Sequence, residues 1–126
     1  MRAVDTNVLV RLLTRDDMRQ TALAESFIAK GAWVSLLALA EAVWVLDSVY
    51  ELRSADQAKA IEMLLSHQQL ALQDRETIAS ALALFRAKPS LGFSDCLMLE
   101  MARKAGNPPL GTFDRNLGKI DGAQKL

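Results

Sequence analysis

Short apolar runs alternate along this chain with longer segments whose apolar residues recur at helical spacing. Four runs have the length and apolar character of buried strands: RAVD (2–5), AWVS (32–35), LALQ (70–73) and PLGT (109–112). Helical periodicity predicts six helices, over residues 6–14, 16–30, 36–52, 54–67, 74–88 and 94–106. The tail past Ile120 is expected to add a fifth strand. This alternation predicts an α/β protein whose parallel sheet, of four to five strands, is covered by helices on both faces.

Residues that commonly begin or end helices lie at the predicted boundaries. The predicted N-terminal caps are, in chain order, Thr6 or Asn7, Ser35, Ser54 paired with Gln57 as a capping box, Asp74, and Ser94 with Asp95. Gly31 and Gly106 are the predicted stops. In the second helix, Leu23, Phe27 and Ile28 are predicted to share one face. No linker separates these elements, so a single domain spanning residues 1–126 is expected.

The composition of the chain says more about its possible functions than about its fold. Lys plus Arg (15) equals Asp plus Glu (15), so no net field draws nucleic acid to the whole surface. A nucleic acid would have to be held by a local patch or by a metal. The single cysteine, Cys96, excludes an internal disulfide and is typical of the reducing cytoplasm. Asp5 interrupts the apolar N-terminus, which is not expected to be a signal peptide. No run reaches the ~20 apolar residues of a membrane-spanning helix, so no membrane partner is expected.

Four acidic residues occupy positions where a site is expected. Sites in parallel sheets lie beyond the carboxyl ends of the strands. Asp5 ends the first strand, Asp114 lies two residues past PLGT, Asp95 lies in the first turn of the last helix, and Glu41 lies inside the third. Each of the three aspartates also has an ordinary interpretation. Asp5 can cap a helix, Asp95 gains roughly 0.3–1 kcal/mol from the helix dipole, and Asp114 can be a turn residue.

Glu41 is the most informative of the four because it interrupts the apolar run LLALAEAVWVL. An ionised carboxylate in an apolar helix costs several kcal/mol unless it is paired or binds a metal. The alternative is that Glu41 lies on a narrow solvent-exposed stripe. If the four acids converge, two carboxylates ~5.5 Å apart repel by roughly 3 kcal/mol at an effective dielectric of 20. A divalent cation would relieve this repulsion.

The residue types available favour a hard cation. Oxygen ligands select Mg²⁺ or Mn²⁺, and no set of Cys and His residues exists for zinc. His67, the only histidine, lies in the polar stretch SHQQ and is expected to be an ordinary surface residue. Cys96 has no histidine to activate it and is expected to be a small core residue. Carboxylates and a divalent cation without a histidine base indicate phosphodiester chemistry, with a metal-activated water as the nucleophile.

Four motifs carry a resemblance to a known family. VDTNVLV, LAEAVWVL, FSDCLML and TFDRNL resemble the motifs of the PIN-domain ribonucleases, and among them those of the VapC-type toxins of bacterial toxin–antitoxin pairs. The resemblance runs from Val4 to about Leu117. It implies a three-layer α/β/α sandwich with a central parallel sheet, and an Mg²⁺- or Mn²⁺-dependent endoribonuclease that acts as the toxin of such a pair.

The resemblance also assigns residues. The family's acidic quartet of catalytic residues and metal ligands is matched by Asp5, Glu41, Asp95 and Asp114. Glu41 is either a ligand or the residue that orients the attacking water. Supporting polar positions are matched by Thr6 and Asn7 after the first acid and by Thr112 before the last. Asn116 stands where an acid often occurs, which leaves the number of metal ions open, and Cys96 stands where a small residue is common.

Family members form homodimers and are silenced by an antitoxin whose C-terminal segment covers the acidic pocket, so a homodimer and a cognate antitoxin are expected partners. The substrate is expected to be RNA, with tRNA one possibility. Four positively charged residues are candidates for contacts with the RNA phosphates: Arg11, Arg15, Arg115 and Lys119. The alternative is that they are ordinary solvated surface charges. Only Phe93 and Phe113 are candidates for base stacking, so no RNA preference is readable. Residues that either form an interface or fill the core are Trp44, Val45, Val49 and Tyr50.

Three rival functions are less well matched. A phosphatase of the haloacid-dehalogenase kind needs a second aspartate two residues after the first, and position 7 is Asn. A receiver-like domain needs a lysine after a late strand, and PLGTF has none. The remaining alternative is a non-catalytic PIN-like module that binds metal or RNA, although the complete quartet argues against it.

Overall fold

The apolar runs and the C-terminal tail form five strands of three residues each in a computed structural model that describes residues 1–126. The strands are β1 Arg2–Val4, β2 Ala32–Val34, β3 Leu70–Leu72, β4 Leu110–Thr112 and β5 Ala123–Lys125. The helices are α1 Thr6–Thr14, α2 Met18–Ile28, α3 Leu36–Ser48, α4 Ser54–Ser66, α5 Arg75–Ala87 and α6 Phe93–Lys104. The predicted α/β sandwich with parallel pairing is confirmed, and the tail does form the fifth strand. None of the helices combines the length and apolar character needed to cross a bilayer.

Residues Met1–Arg75 form one compact unit around a three-stranded parallel sheet. Val4 pairs with Val34, and Val34 pairs with Leu72, so the three strands end at the same edge. Fully buried side chains of the helices form the core of this unit: Leu9, Leu39, Leu46 and Ile61. The residues that follow the strands, Asp5 among them, are therefore placed side by side along one edge.

Residues Glu76–Leu126 form the second compact unit, with a separate two-stranded parallel sheet. The register pairs Leu110 with Ala123 and Thr112 with Lys125. Its core lines the inner faces of α5 and α6, where Phe85 and Phe93 meet edge to face with ring centroids 5.9 Å apart. The strands thus form two parallel sheets, of three and two strands, where the sequence predicted one.

Two predicted caps within residues 1–75 are wrong. The cap of α1 is Asp5, whose Oδ1 accepts a hydrogen bond from the Val8 N–H, rather than Thr6 or Asn7. The capping box at Ser54 and Gln57 does not form, because the helix starts at Ser54 and its N-cap, Arg53, makes no side-chain bond. The Gln57 amide instead turns inward, where it donates to the Asp47 carboxylate (2.9 Å) and to the Leu52 carbonyl (2.8 Å).

Three further expectations need correction. Helix α3 ends at Ser48 and not at residue 52, because Glu51 adopts a φ of 54° and the Leu52 N–H returns to the Leu46 carbonyl. Helix α6 starts at Phe93, and its N-cap is Gly92, so the predicted cap at Ser94 and Asp95 is wrong. Leu23 is 60% exposed rather than sharing a buried face with Ile28, since the inward positions of α2 are Thr21, Ala24 and Ile28.

Candidate active site

Asp5 lies where β1 ends and α1 begins. Its backbone is extended (φ −95°), and its Oδ1 accepts the Val8 N–H at 3.2 Å, which satisfies one of the unpaired amide groups at the helix start. The side chain is exposed, and its second oxygen has no protein partner. The capping interpretation of Asp5 is therefore correct, and one carboxylate oxygen remains available to a ligand.

Glu41 is held by the residue that follows Asp5. The Thr6 hydroxyl donates to Glu41 Oε2 at 2.8 Å, across 35 positions of sequence. This bond joins the first acidic motif to the second and leaves Oε1 of Glu41 without a protein partner. Thr6 thus orients the carboxylate, which is the supporting task expected of a hydroxyl beside a ligand.

Glu41 is exposed to solvent, so its carboxylate pays no desolvation free energy despite its apolar neighbours in the sequence. Glu41 lies on an exposed face of α3 together with Leu37, which is 68% exposed, and Trp44, which is 61% exposed. No desolvation has to be offset, so the solvent-stripe interpretation is correct. Of the two alternatives predicted for Trp44 and Val49, an interface or the core, the core is wrong, because Val49 is 67% exposed as well.

Gln73 is a residue of this edge that the sequence did not single out. It follows β3, and its Oε1 accepts the Leu36 N–H (2.9 Å) while its own N–H donates to the Val34 carbonyl (2.8 Å). Ser35 completes the cap, since its hydroxyl accepts the Ala38 N–H at 3.0 Å, as predicted. The start of the helix that carries Glu41 is therefore fixed from two sides. The available signal was a polar residue directly after a buried strand.

Asp95 is the third residue of α6, with Gly92 as the cap. It is half-buried and makes no side-chain hydrogen bond or ion pair. The neighbouring Cys96 is fully buried. Burial, with the nearby carboxylates of Asp95 and Glu100 adding to it, raises the pKa of the Cys96 thiol to about 11. Cys96 is therefore a core residue and has no thiolate to offer as a nucleophile.

Asp114 is fixed by bonds on both sides. Its N–H donates to the Thr112 hydroxyl (3.0 Å), and its Oδ1 accepts the Leu117 N–H (2.9 Å) at the start of a 3₁₀ turn, Leu117–Lys119. Thr112 therefore supports Asp114 by orienting its backbone. Asp114 Oδ2 has no protein partner.

The family profile of the PIN domain matches residues 2–123, which is nearly the whole chain. The chain belongs to the PIN-domain family. The PIN domain is generally a nuclease fold. A comparison with curated proteins found no match.

In this PIN domain the acidic quartet shares a pattern that suits a hard cation. On Asp5, Glu41 and Asp114, one oxygen accepts a single protein hydrogen bond and the other is available. None of the four carboxylates forms an ion pair with a lysine or arginine. Oriented, unneutralised carboxylates are the donor type that Mg²⁺ and Mn²⁺ prefer. No group of three or more Asp, Glu, His and Cys side chains is arranged to hold a metal, so convergence of the whole quartet stays a prediction.

The PIN domain's four candidate RNA-binding cations divide into two kinds. Arg11 is bound by Asp16, Gln20 and Tyr50, and Arg15 forms an ion pair with Glu25. Arg115 and Lys119 are exposed and form no ion pair. The latter two are therefore free for phosphate, whereas the first two are occupied by contacts within the protein. The remaining polar candidates, Asn7 and Asn116, are exposed and make no side-chain hydrogen bond.

Proposed function

We propose that this PIN domain is an Mg²⁺- or Mn²⁺-dependent endoribonuclease, the VapC-type toxin of a cytoplasmic toxin–antitoxin pair. The observation that carries the proposal is the hydrogen bond from Thr6 to Glu41. It ties Thr6, the residue that follows Asp5, to the acid of α3, and one oxygen each of Asp5 and Glu41 has no protein partner. Oriented carboxylates with an available oxygen are the ligands that a hard cation prefers.

The proposed ligands are Asp5, Asp95 and Asp114, with Glu41 as a further ligand or as the residue that orients the attacking water. When bound, the metal lowers the pKa of water and offsets the charge that grows on the phosphate. The protein's part is to fix the acceptors. Val8 N–H and Leu117 N–H hold one oxygen each of Asp5 and Asp114, and Thr6 holds Glu41. Arg115 and Lys119 are proposed to contact the RNA backbone.

The substitution Asp5→Asn tests the nuclease directly, and the chain offers a matched control. Asp17 caps α2 as Asp5 caps α1, with Oδ1 accepting the Gln20 N–H at 3.0 Å. Asn is an equally good cap, so neither substitution should unfold the protein. We expect Asp5→Asn to lower metal-dependent RNA cleavage by at least about 100-fold, because a charged ligand is lost, and Asp17→Asn to leave it unchanged.

Cleavage is measured on labelled RNA with Mg²⁺, with Mn²⁺ and with EDTA. Wild-type-like cleavage by Asp5→Asn, or cleavage in EDTA, would contradict the assignment. If the wild-type protein binds RNA but never cuts it, the alternative of a non-catalytic PIN-like module is correct.

We propose further that a cognate antitoxin covers the exposed face of α3 and that the protein is a homodimer. Leu37 and Trp44 lie one turn on either side of Glu41, so a chain that buries them also covers Glu41. The test is co-expression with the product of the neighbouring reading frame. Trp44→Ala should weaken inhibition by that product while cleavage by the free protein persists.

A further inference from the structure

Phe113 is the most exposed aromatic residue of the chain. Its side chain is 80% exposed, compared with 61% for Trp44 and 39% for Trp33. Leaving a phenylalanine in water forgoes the roughly 1.5–3 kcal/mol that its burial would contribute. The other candidate for stacking, Phe93, is 2% exposed and packs against Phe85. The structure therefore separates two residues that the sequence could not distinguish: Phe93 is a core residue, and Phe113 faces solvent.

The backbone around Phe113 is held in place. On one side, the Thr112 carbonyl accepts the Leu126 N–H (2.8 Å), and on the other, the Asp114 N–H donates to the Thr112 hydroxyl (3.0 Å). The Asp114 carboxylate and carbonyl then accept the N–H groups of Leu117 and Gly118. The exposure of Phe113 is a consequence of this fixed loop, which presents the ring outward next to Asp114.

Two positively charged residues follow Phe113 closely in the sequence. Arg115 and Lys119 follow within six residues, both are exposed, and neither has a carboxylate partner. An exposed aromatic ring beside unpaired cations is typical of surfaces that bind single-stranded nucleic acid. The bases stack on the ring, and the cations bind the backbone phosphates. A duplex cannot use such a ring, because both faces of its internal bases are already stacked.

We propose that Phe113 is a stacking platform for an unpaired base of the RNA, with Arg115 and Lys119 bound to the neighbouring phosphates. The RNA recognised at this loop is therefore single-stranded. This inference rests on the proposed function only in taking RNA as the substrate. The cations favour RNA over an apolar segment of a protein partner, which would gain nothing from two unpaired positive charges.

The test measures binding rather than cleavage. Fluorescently labelled oligouridine is titrated with proteins that carry Asp5→Asn, in EDTA, so that no RNA is cut. Against that background we compare Phe113→Tyr, which keeps an aromatic face, with Phe113→Leu, which keeps only apolar surface. Met18→Ala is the control for loss of exposed apolar surface, since Met18 is 88% exposed.

Phe113→Leu should bind the single strand about 5- to 150-fold more weakly, whereas Phe113→Tyr and Met18→Ala should bind like the parent. Replacing one nucleotide at a time by an abasic unit should weaken binding by the parent at one position and have no further effect in Phe113→Leu. Competition by a duplex of the same length should be weaker than competition by the single strand. All variants should keep the melting temperature of the parent because the side chain is exposed.

The platform is refuted if Phe113→Leu binds like Phe113→Tyr, if abasic units weaken both proteins equally, or if Phe113→Leu weakens only the binding of a protein partner. Its failure is distinguishable from failure of the nuclease. Base-dependent binding without any cleavage by the wild-type protein would contradict the nuclease and keep the platform. Metal-dependent cleavage with no effect of Phe113→Leu on binding would support the nuclease and contradict the stacking platform.

Discussion

At the scale of single residues, Asp16 is an acid whose hydrogen bonds lower its pKa. It lies in the turn between α1 and α2, where it accepts hydrogen bonds from the Tyr50 hydroxyl (2.7 Å), the Thr14 hydroxyl (2.8 Å) and Arg11 (2.8 Å). The Tyr50 bond, followed by the Thr14 bond, lowers the pKa of Asp16 to about 2. The same network raises the pKa of Arg11, mainly through Tyr50. Tyr50, which the sequence left as a candidate for an interface or the core, thus binds Asp16 and Arg11 and links the segment after α3 to this turn.

Removing the Tyr50 hydroxyl should change the response of the protein to acid. The pKa of Asp16 is lower in the folded chain than its ordinary value near 3.8, so its contribution to stability is present above pH 4 and is lost as the pH falls towards 2. In Tyr50→Phe the pKa should move back towards 3.8, and the loss of stability between pH 4 and 2 should become smaller. Urea midpoints at pH 7, 4 and 2.5, compared between wild type and variant, provide the measurement. An equal acid dependence in both proteins would contradict this role.

At the scale of elements, α3 shows that an apolar run does not reveal which of its residues are buried. The segment LLALAEAVWVL contains enough apolar residues for every face of a helix, and only the structure shows which ones point inward. Leu39 and Leu46 are fully buried, whereas Leu37 and Trp44 lie in solvent. Size is no guide here, since the largest side chain of the helix is among the most exposed.

We expect Leu46→Ala to lower the free energy of unfolding by about 2–5 kcal/mol, because it removes buried methyl groups and leaves a cavity. Trp44→Ala should lower it by less than about 0.5 kcal/mol, as for an ordinary surface substitution. Denaturant unfolding of both variants gives the comparison. A larger loss from Trp44→Ala than from Leu46→Ala would mean that the inward face of α3 has been misassigned.

The start of α3 and the end of α6 were predictable from single residues, whereas the end of α3 and the capping box of α4 were not. Ser35 caps α3 as its side chain allows, and Gly106, at a φ of 76°, follows the C-terminal cap of α6 as a glycine commonly does. The end of α3 depends on Glu51 in a left-handed conformation, which no residue preference signals. Gln57 does not form the expected capping box because its amide, which is buried, donates to the Asp47 carboxylate and the Leu52 carbonyl instead.

At the scale of the whole molecule, the formal net charge is zero, so the proposed binding of RNA would depend on a few local cations. The sequence ranked four of them equally. It could not show that Arg11 and Arg15 are already occupied by Asp16 and Glu25, because those pairs form across the turn between two helices. The positions of the acids were more predictable, since strand ends and helix starts are readable from the sequence, but the pattern alone does not show whether the acids gather into one site.

Neutralising a cation should therefore weaken RNA binding only if that cation has no partner within the protein. Arg115→Gln should reduce the slope of log affinity against log salt for RNA by about one, because one phosphate contact is lost. Arg11→Gln should leave this slope unchanged and lower the thermal stability instead, since Arg11 bonds to three side chains. RNA binding from 50 to 200 mM salt, together with thermal melts, distinguishes the two. Equal effects on the slope would show that the internal pairing of Arg11 does not persist in solution.

The pairing of β5 with β4 has a genetic consequence. Only three residues, Ala123–Lys125, form β5, and the next residue, Leu126, donates the hydrogen bond that holds the Thr112 carbonyl. A nonsense codon at position 123 would remove β5 and would thereby release the loop that presents Phe113 and Asp114. If the protein arrests growth, suppressor mutations selected against it should include stop codons and frameshifts in codons 123–126, which encode none of the four acids.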